Sequence, residues 1–300
     1  MAESTPIPSA GLPPVIRALR PYQWAKNLLL FVPLVMAHEV RNAHKLGAVA
    51  LGCVAFCLVA SAGYIINDLR DSDNDRQHPT KRNRPFAAGQ LSAMTGIVMV
   101  ALMLAGGFVM GWLLVGRPFG YALGAYLIIT LAYSLDLKRR LLVDVITLAW
   151  LYTLRLIAGG LAAPVEVSPW LLALSMFLFL SLAFAKRYSE LLQQDGGGEQ
   201  LKGRNYTPSD LGIIESVGPA SGYMAVLVLT LYINGGTKHD LYRHPQFLWM
   251  ICPVFLYWIT RVWFLARRKV LLEDPLLFAL RDSRSWIAMG ITLVLAWLAS

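Results

Sequence analysis

Nine long, largely uncharged apolar runs constrain this chain more than any other feature: Trp24–Ala37, Leu46–Ile66, Leu91–Val115, Phe119–Leu135, Val145–Ala163, Pro169–Ala185, Leu211–Ile233, Phe247–Ala266 and Trp286–Ser300. A bilayer core of roughly 30 Å takes about 20 helical residues to cross, and most of the runs reach or approach that length; the first, fourth and last are shorter. Within lipid every backbone N–H and C=O must be satisfied by the protein, so only helices and closed barrels span. The runs are continuous and lack the alternation of barrel strands, which leaves helices. Hydrophobic residues make up 56% of 300 positions and charged residues 15%, more apolar content than one soluble core can bury. The chain reads as an all-α integral membrane protein with about nine transmembrane helices.

Basic residues set the orientation, because cytoplasmic loops carry an excess of Lys and Arg. With the N-terminus inside, twenty fall on the inner side and five (Arg41, Lys45, Arg117, Lys238, Arg243) on the outer, while Arg155 and Arg261 lie within helices. The C-terminus is then outside. Residues 1–20 hold Pro6, Pro8, Pro13 and Pro14 without the apolar stretch of a signal peptide, and read as a flexible cytoplasmic lead to a single transmembrane catalytic domain over 21–300. The net charge of +9 follows from the inner-side bias, so no nucleic-acid partner is needed to explain it, whereas contact with anionic membrane lipids suits it. Cys53 and Cys57 sit one turn apart on one helix, with Cys252 on another; this favours buried packing over a disulfide and suggests no zinc or redox chemistry.

Polar information concentrates in three inner segments, "NDLRDSDNDRQHPTKRNRP", "YSLDLKRRLLVD" and "AKRYSELLQQDGGGEQLKGRNYTPSD". In the first, Asp68, Asp71 and Asp75 recur at spacings of three and four, so a helix continued through them puts the carboxylates on one side. Asn67 lies four residues before Asp71. Clustered acids repel unless cations neutralise them, and hard oxygens facing water suit Mg²⁺, which takes one or two carboxylates together with substrate phosphates. A diphosphate substrate is the natural companion. The plainer alternative is a solvated helix end whose acids pair with Arg70 and Arg76. Asp73 and Asn74 fall off the acidic face. Downstream, His78, Lys81, Arg82 and Arg84 lie between two prolines, placed either to fork around phosphate oxygens or to anchor the inner face.

The second segment offers Tyr133, Lys138 and Asp144. Arg155 follows Asp144 by eleven residues on the next helix, roughly 16 Å deeper by helical rise. A charge there faces a polar cavity or a partner, which makes it a site candidate or a structural pair. In the third segment Lys186, Arg187 and Glu190 occupy the place of Asn67 to Asp71 if helices five to eight repeat helices one to four. "DGGGEQLKG" reads as a mobile flap or a linker. Glu273, Asp274, Arg281, Asp282 and Arg284 precede the last helix, most simply as a loop cap.

The run Asn67-Asp68-x-x-Asp71-x-x-x-Asp75 resembles the first aspartate motif of the UbiA-type intramembrane prenyltransferases, and "YSLDLKR" is similar to that superfamily's Tyr-to-Lys segment. The resemblance covers nearly the whole chain after about residue 15 and implies a nine-helix UbiA-like bundle with cytoplasmic catalytic loops. One departure stands out: ordinary members carry a second Asp-x-x-x-Asp motif after the sixth helix, where this chain has "KRYSE". The longer stretches "NDLRDSDNDRQHPTKRNRPFAAG", "LRLIAGG", "AKRYSEL" and "EDPLLFALRD" resemble a narrower branch, the decaprenyl-phosphate phosphoribosyltransferases.

That resemblance implies transfer of a 5-phosphoribosyl unit from phosphoribosyl pyrophosphate to a polyprenyl phosphate with release of pyrophosphate, in a bacterial inner membrane, toward a lipid-linked arabinose donor for cell-wall polysaccharide. Asp68, Asp71 and Asp75 would hold Mg²⁺ and act catalytically. Asn67, Lys81, Arg82, Arg84, Tyr133, Lys138, Asp144, Arg155, Lys186, Arg187 and Glu190 would bind substrate. Two rivals are a UbiA-type prenyltransferase acting on an aromatic acceptor, which "KRYSE" disfavours, and a transporter of a phosphorylated metabolite, disfavoured by the scarcity of charge along an outward path. The topology has a direct test. In a cysteine-free background, single cysteines at Gln77 and Gly197 should react only with reagent that reaches the cytoplasm, and one at Val167 from outside; exterior labelling at Gln77 would invert the active face.

Overall fold

The computed structural model describes residues 11–77, 81–193, 204–235, 242, 244–271 and 274–299. His78, Glu273 and the glycine-rich segment 195–203 lie outside the described residues, as do the first ten positions of the lead. The described residues contain helices and turns and no strand. They fall into two compact units, Met1–Ser134 with Leu154–Glu166, and Leu135–Thr153 with Val167–Ser300.

In the first unit the helices are α1 (Pro14–Leu19), α2 (Val32–Met36), α3 (Ala43–Arg70), α4 (Ser72–Arg76), α5 (Ala93–Val109) and α6 (Arg117–Leu135), which enters the second unit at its last residue. α7 (Val143–Ala162) gives its first part to the second unit and its remainder to the first. The second unit adds α8 (Pro169–Gln193), α9 (Leu211–Asn234), α10 (Gln246–Trp249), α11 (Ile251–Arg267), α12 (Pro275–Arg281) and α13 (Ser283–Ala299). Seven helical stretches are long and apolar enough to cross a membrane; Ser283–Ala299 is apolar but shorter.

The first apolar run departs from a plain α-helix: Pro21–Phe31 winds as a 3₁₀ helix, and α2 follows with Pro33 in its first turn. A proline carries no N–H for an i→i−4 bond and is tolerated where such a donor would be orphaned. The second run extends further than its apolar residues do. α3 starts at an Asn42 cap, whose side chain accepts from the Lys45 N–H at 3.2 Å, and continues through Asn67 and Asp68 to Arg70. α8 likewise runs past Ala185 and carries Lys186, Arg187 and Glu190 on helix. α5 passes into a π-helical turn, Met110–Val115, which stops at Gly116 with φ 142°, a conformation open to glycine.

Burial separates the helices by role. The apolar window of α7 is 72% buried inside the protein and that of α5 only 11%, so the polar side chains of α7 face protein rather than lipid. In the first unit α3 packs on α1, the 3₁₀ segment and α5, with Phe56 edge-on to Phe119 at 5.9 Å. In the second, α8 packs on α9, α11 and α12, and Trp263 donates to Ser181 Oγ at 3.0 Å.

One backbone approach sets tolerance in the first unit. A Cβ built on Gly159 of α7 would lie 2.0 Å from the Leu30 carbonyl oxygen, so only glycine lets the two segments meet. Gly159→Ala should therefore lower the thermal midpoint in detergent, with overpacking costing about 1–3 kcal/mol. Gly47→Ala, which meets nothing within 4 Å, should leave the midpoint unchanged or raise it slightly.

Candidate functional site: two charge-neutralised clusters

The acidic motif is built at the end of α3. The helix closes at Arg70, Asp71 adopts a turn conformation (φ −90°, ψ 5°), and α4 carries Asp75 onward. The continuous helix expected through all three acids is thus interrupted at Asp71. Its i→i−4 bonds persist across the break, Asp71 N–H to Asn67 O at 2.9 Å and Asp75 N–H to Asp71 O at 2.8 Å. Asp68 and Asp75 are buried, whereas Asn67 and Asp71 are half-buried.

Arginine ties the two buried acids together. Arg84 Nη1 donates to Asp68 Oδ1 at 3.1 Å and to Asp75 Oδ2 at 2.6 Å, so one nitrogen sits between both carboxylates. Arg20 Nη2 reaches Asp68 Oδ1 at 2.6 Å from the left-handed cap of α1 (φ 54°). Burial opposes the Arg20 charge, but Asp68, with Tyr22 and Tyr64 nearby, outweighs it and raises its pKa. The lead is latched to this point: Arg17 donates to the Asn83 carbonyl at 2.5 Å, Ser61 Oγ donates to the Leu19 carbonyl at 2.9 Å, and Ala18, Ile65 and Phe86 share a small core. Lys81 and Arg82 stand exposed on the adjoining 3₁₀ turn.

Among the described residues no three His, Cys, Asp or Glu side chains converge as a ready metal cage. The donor chemistry still fits a hard divalent ion. Asp68 and Asp75 present oxygens on two sides of one cationic nitrogen, and Mg²⁺ ordinarily takes one or two carboxylates and completes its shell with water and substrate phosphate. The pair could hold such an ion beside an anionic substrate, with Arg84 adjacent to both carboxylates.

The second cluster lies within the second unit. Asp144, fully buried in the first turn of α7, receives Arg187 Nε at 2.5 Å, Arg187 Nη2 at 3.2 Å and Arg204 Nη1 at 3.0 Å. Arg187 Nη1 also donates to Glu190 Oε2, and Arg204 Nε lies 3.6 Å from the same oxygen. Two-pronged arginine–carboxylate contact of this kind fixes orientation as well as charge. The Leu142 N–H donates to Tyr206 Oη at 3.3 Å; burial, and then the Asp144 charge, push that phenol up to about 12. Beside it Lys186 Nζ meets Asp274 Oδ2 at 3.3 Å, and Tyr152 donates to both Asp274 oxygens at 3.1 Å. The side chain of Arg187 has no exposed surface, while those of Lys186 and Arg204 keep 28% and 22%.

The remaining sequence candidates fall elsewhere. Arg155, 4% exposed, belongs to the first unit, where its Nε donates to Asn27 Oδ1 at 3.0 Å, its Nη2 to Tyr126 Oη at 3.0 Å, and its guanidinium lies 4.8 Å from the Tyr126 ring. These contacts supply the polar company that a buried cation needs. Tyr133 is half-buried near the end of α6, and Lys138 on a 3₁₀ turn of the second unit. Asp274 and Asp282 act as helix caps, as the loop reading expects, through the Leu276 N–H at 3.2 Å and the Ser285 N–H at 2.8 Å. Arg20, Arg204, Tyr152 and Tyr206 were not singled out from sequence. A partial signal for the last segment is present in Thr207-x-x-Asp210, a capping box that anchors the chain just after Tyr206.

Residues 28–281 match the UbiA prenyltransferase family. The chain belongs to that family. It is 39% identical over 271 residues to the uncharacterized protein y4nM of Sinorhizobium fredii, of which it spans 52%. It is 35% identical over 286 residues to the nodulation protein NoeC of Azorhizobium caulinodans, covering 94% of this chain and 92% of that one. A decaprenyl-phosphate phosphoribosyltransferase of Corynebacterium glutamicum is 37% identical over 202 residues, 66% of this chain and 61% of the relative. The fold also matches a UbiA homolog from Archaeoglobus fulgidus solved with GPP and Mg²⁺, with TM-score 0.72 at 17% identity, covering 95% of this chain and 99% of that one.

The paired-acid geometry makes a graded prediction for this UbiA-family protein. Asp75→Asn should cut turnover roughly 100-fold, about 2.7 kcal/mol at the transition state. Asp68→Asn should do the same and also lower the thermal midpoint, because it takes from Arg20 its carboxylate partner and leaves Arg84 with Asp75 alone. Asp73, whose side chain is 89% exposed and meets Arg76 at 3.3 Å, should tolerate Asn with nearly normal kinetics; equal loss at Asp73 would refute the assignment.

Proposed function

We propose that this protein transfers a 5-phosphoribosyl unit from phosphoribosyl pyrophosphate to a polyprenyl phosphate at the cytoplasmic face of the membrane, releasing pyrophosphate. The observation that carries the reading is the pair of cations, Lys186 and Arg187, on α8. Where ordinary members of the family place a second acidic motif, this chain has Lys186, Arg187 and Glu190, and each acid beside them is matched: Asp144 and Glu190 by Arg187 and Arg204, Asp274 by Lys186. Cations in that place suit a donor with a phosphate beyond its diphosphate. The Corynebacterium relative's name supports the same substrate pair.

Each cluster has its own task in this reading. Asp68 and Asp75 would hold Mg²⁺, which when bound supplies positive charge to the departing pyrophosphate. Arg84 and Arg20, already beside these carboxylates, offer guanidinium N–H groups to phosphate oxygens, with Lys81 and Arg82 adding charge. Lys186 and Arg204 would meet the ribose 5-phosphate or the lipid phosphate. Arg187 touches neither; it holds Asp144 and Glu190 so that its partly exposed neighbours keep their positions. As the C1–O bond to pyrophosphate breaks, a lipid phosphate oxygen forms the new bond to C1. A phosphate monoester is already largely ionised near neutral pH, so no protein base has to remove a proton.

Purified protein incubated with ribose-labelled phosphoribosyl pyrophosphate, decaprenyl phosphate and Mg²⁺ should move label into the organic phase and release one pyrophosphate per lipid product. Activity unimpaired by excess chelator would remove the metal from the scheme. Lys186→Ala and Arg204→Ala should each raise KM for one phosphorylated substrate by about tenfold, the worth of a partly exposed charge-assisted contact. Arg187→Met should also lower the thermal midpoint, since stranding a buried carboxylate costs about 3–5 kcal/mol. Transfer of a prenyl group from its diphosphate to an aromatic acceptor, with no phosphoribosyl transfer, would instead establish the ordinary prenyltransferase reading.

A further inference from the structure

A second feature of the second unit is independent of both charge clusters. Helices α11 and α13, which pack on each other, border an open groove of about 820 Å³, lined by Leu256, Tyr257, Arg261, Phe264, Arg268 and Arg284 among others. A neighbouring cavity of about 490 Å³ shares Pro253, Tyr257 and Arg284 with it and extends along α13 to Ile287 and Ile291. The walls are apolar and open: Tyr257 is 53% exposed, Phe264 58% and Ile287 61%.

Charge is confined to one end. Arg261 is spent on Asp282, with its two terminal nitrogens at 2.7 and 2.9 Å from the two carboxylate oxygens, and Asp282 is further fixed by Ser285 N–H and Oγ at 2.8 Å each. Burial works against the Asp282 charge, but the bonds from Arg261 and Ser285 prevail and hold its pKa below the usual value. That pair balances itself. Arg268, at the cap of α11, and Arg284, in the first turn of α13, are exposed and make no ion pair among the described residues. Two guanidinium groups with no ion pair among the described residues thus mark the same end of two neighbouring apolar helices.

We propose that this groove seats one anionic phospholipid of the surrounding bilayer, its phosphate between Arg268 and Arg284 and an acyl chain along Tyr257, Pro253, Ile287 and Ile291. Arginine offers the planar donor fork that phosphate oxygens accept. The dimensions favour a lipid confined to one leaflet. From Arg284 to Ile291 is about 10 Å and from Arg268 to Pro253 about 22 Å by helical rise, spanning the roughly 15 Å of hydrocarbon in half a bilayer. A decaprenyl chain is far longer than that, so the groove is assigned to a bilayer lipid and not to the lipid substrate.

The test uses the full chain purified in neutral detergent, with dioleoylphosphatidylglycerol, dioleoylphosphatidylcholine or decaprenyl phosphate added. Phosphatidylglycerol should raise the thermal midpoint by about 5 °C through preferential binding to the folded state, and native mass spectrometry should show one retained molecule; phosphatidylcholine should do neither. Arg268→Ala with Arg284→Ala should abolish the increment. Ile287→Trp, which fills the apolar wall and leaves both charges, should abolish it too. An increment lost in the double variant but kept in Ile287→Trp would reduce the effect to surface charge and overturn a seated lipid. Equal shifts with phosphatidylcholine, or an increment untouched by either variant, would overturn the site. A larger shift with decaprenyl phosphate, lost in the same variants, would give the groove to the lipid substrate.

Discussion

Charge neutralisation within each unit is the constraint on which the rest of the structure depends. Asp68, Asp75 and Asp144 are buried carboxylates, and an ionised carboxylate removed from water costs several kcal/mol unless it is paired and hydrogen-bonded. The chain meets that cost with arginine. Arg20 and Arg84 do so in the first unit, Arg187 and Arg204 in the second. Much of the local architecture follows: the left-handed cap that turns α1 into the 3₁₀ segment positions Arg20, the turn that follows the Lys81–Asn83 3₁₀ helix positions Arg84, and the segment entering α9 positions Arg204 beside Tyr206.

Pairing has a functional consequence. Asp68 and Asp75 against Arg20 and Arg84, and Asp144 and Glu190 against Arg187 and Arg204, are formally balanced before substrate arrives. In the proposed reading, a donor carrying several negative charges would need positive charge from elsewhere, which a divalent ion bound with its phosphates would supply. In that reading Asp68 and Asp75 would hold the metal, and Arg20 and Arg84 beside them would be available to phosphate oxygens. The folded protein keeps these groups oriented and partly out of water, which strengthens charge–charge contacts relative to those in bulk solvent.

Much of the fold was legible because apolar run length is a direct reading of bilayer thickness. The long runs correspond to α3, the α5 stretch, α7, α8, α9 and α11. The 3₁₀ course of Pro21–Phe31 was not readable from an apolar run, nor was the approach of its Leu30 carbonyl to Gly159, far away in sequence. The acidic motif was readable from its spacing, yet its break at Asp71 was not, because the turn is set by where Arg84 can reach both Asp68 and Asp75. Arg155 shows the limit of depth as a signal. An intramembrane cation needs polar company, and only packing reveals that its company here is Asn27 and Tyr126.

By itself the sequence determined the all-helical membrane class, the helical spacing of Asp68, Asp71 and Asp75, and the place of Lys186, Arg187 and Glu190 at the end of a later apolar run. These are properties of composition and spacing, set by the thickness of hydrocarbon and the cost of charge within it. Tertiary structure alone decided which cation meets which acid: Arg84 between Asp68 and Asp75, Arg187 and Arg204 on Asp144, Lys186 on Asp274. Those pairs join residues from 9 to 88 positions apart. Coulomb attraction has no sequence register, so only the folded path of the chain selects among partners of equal charge.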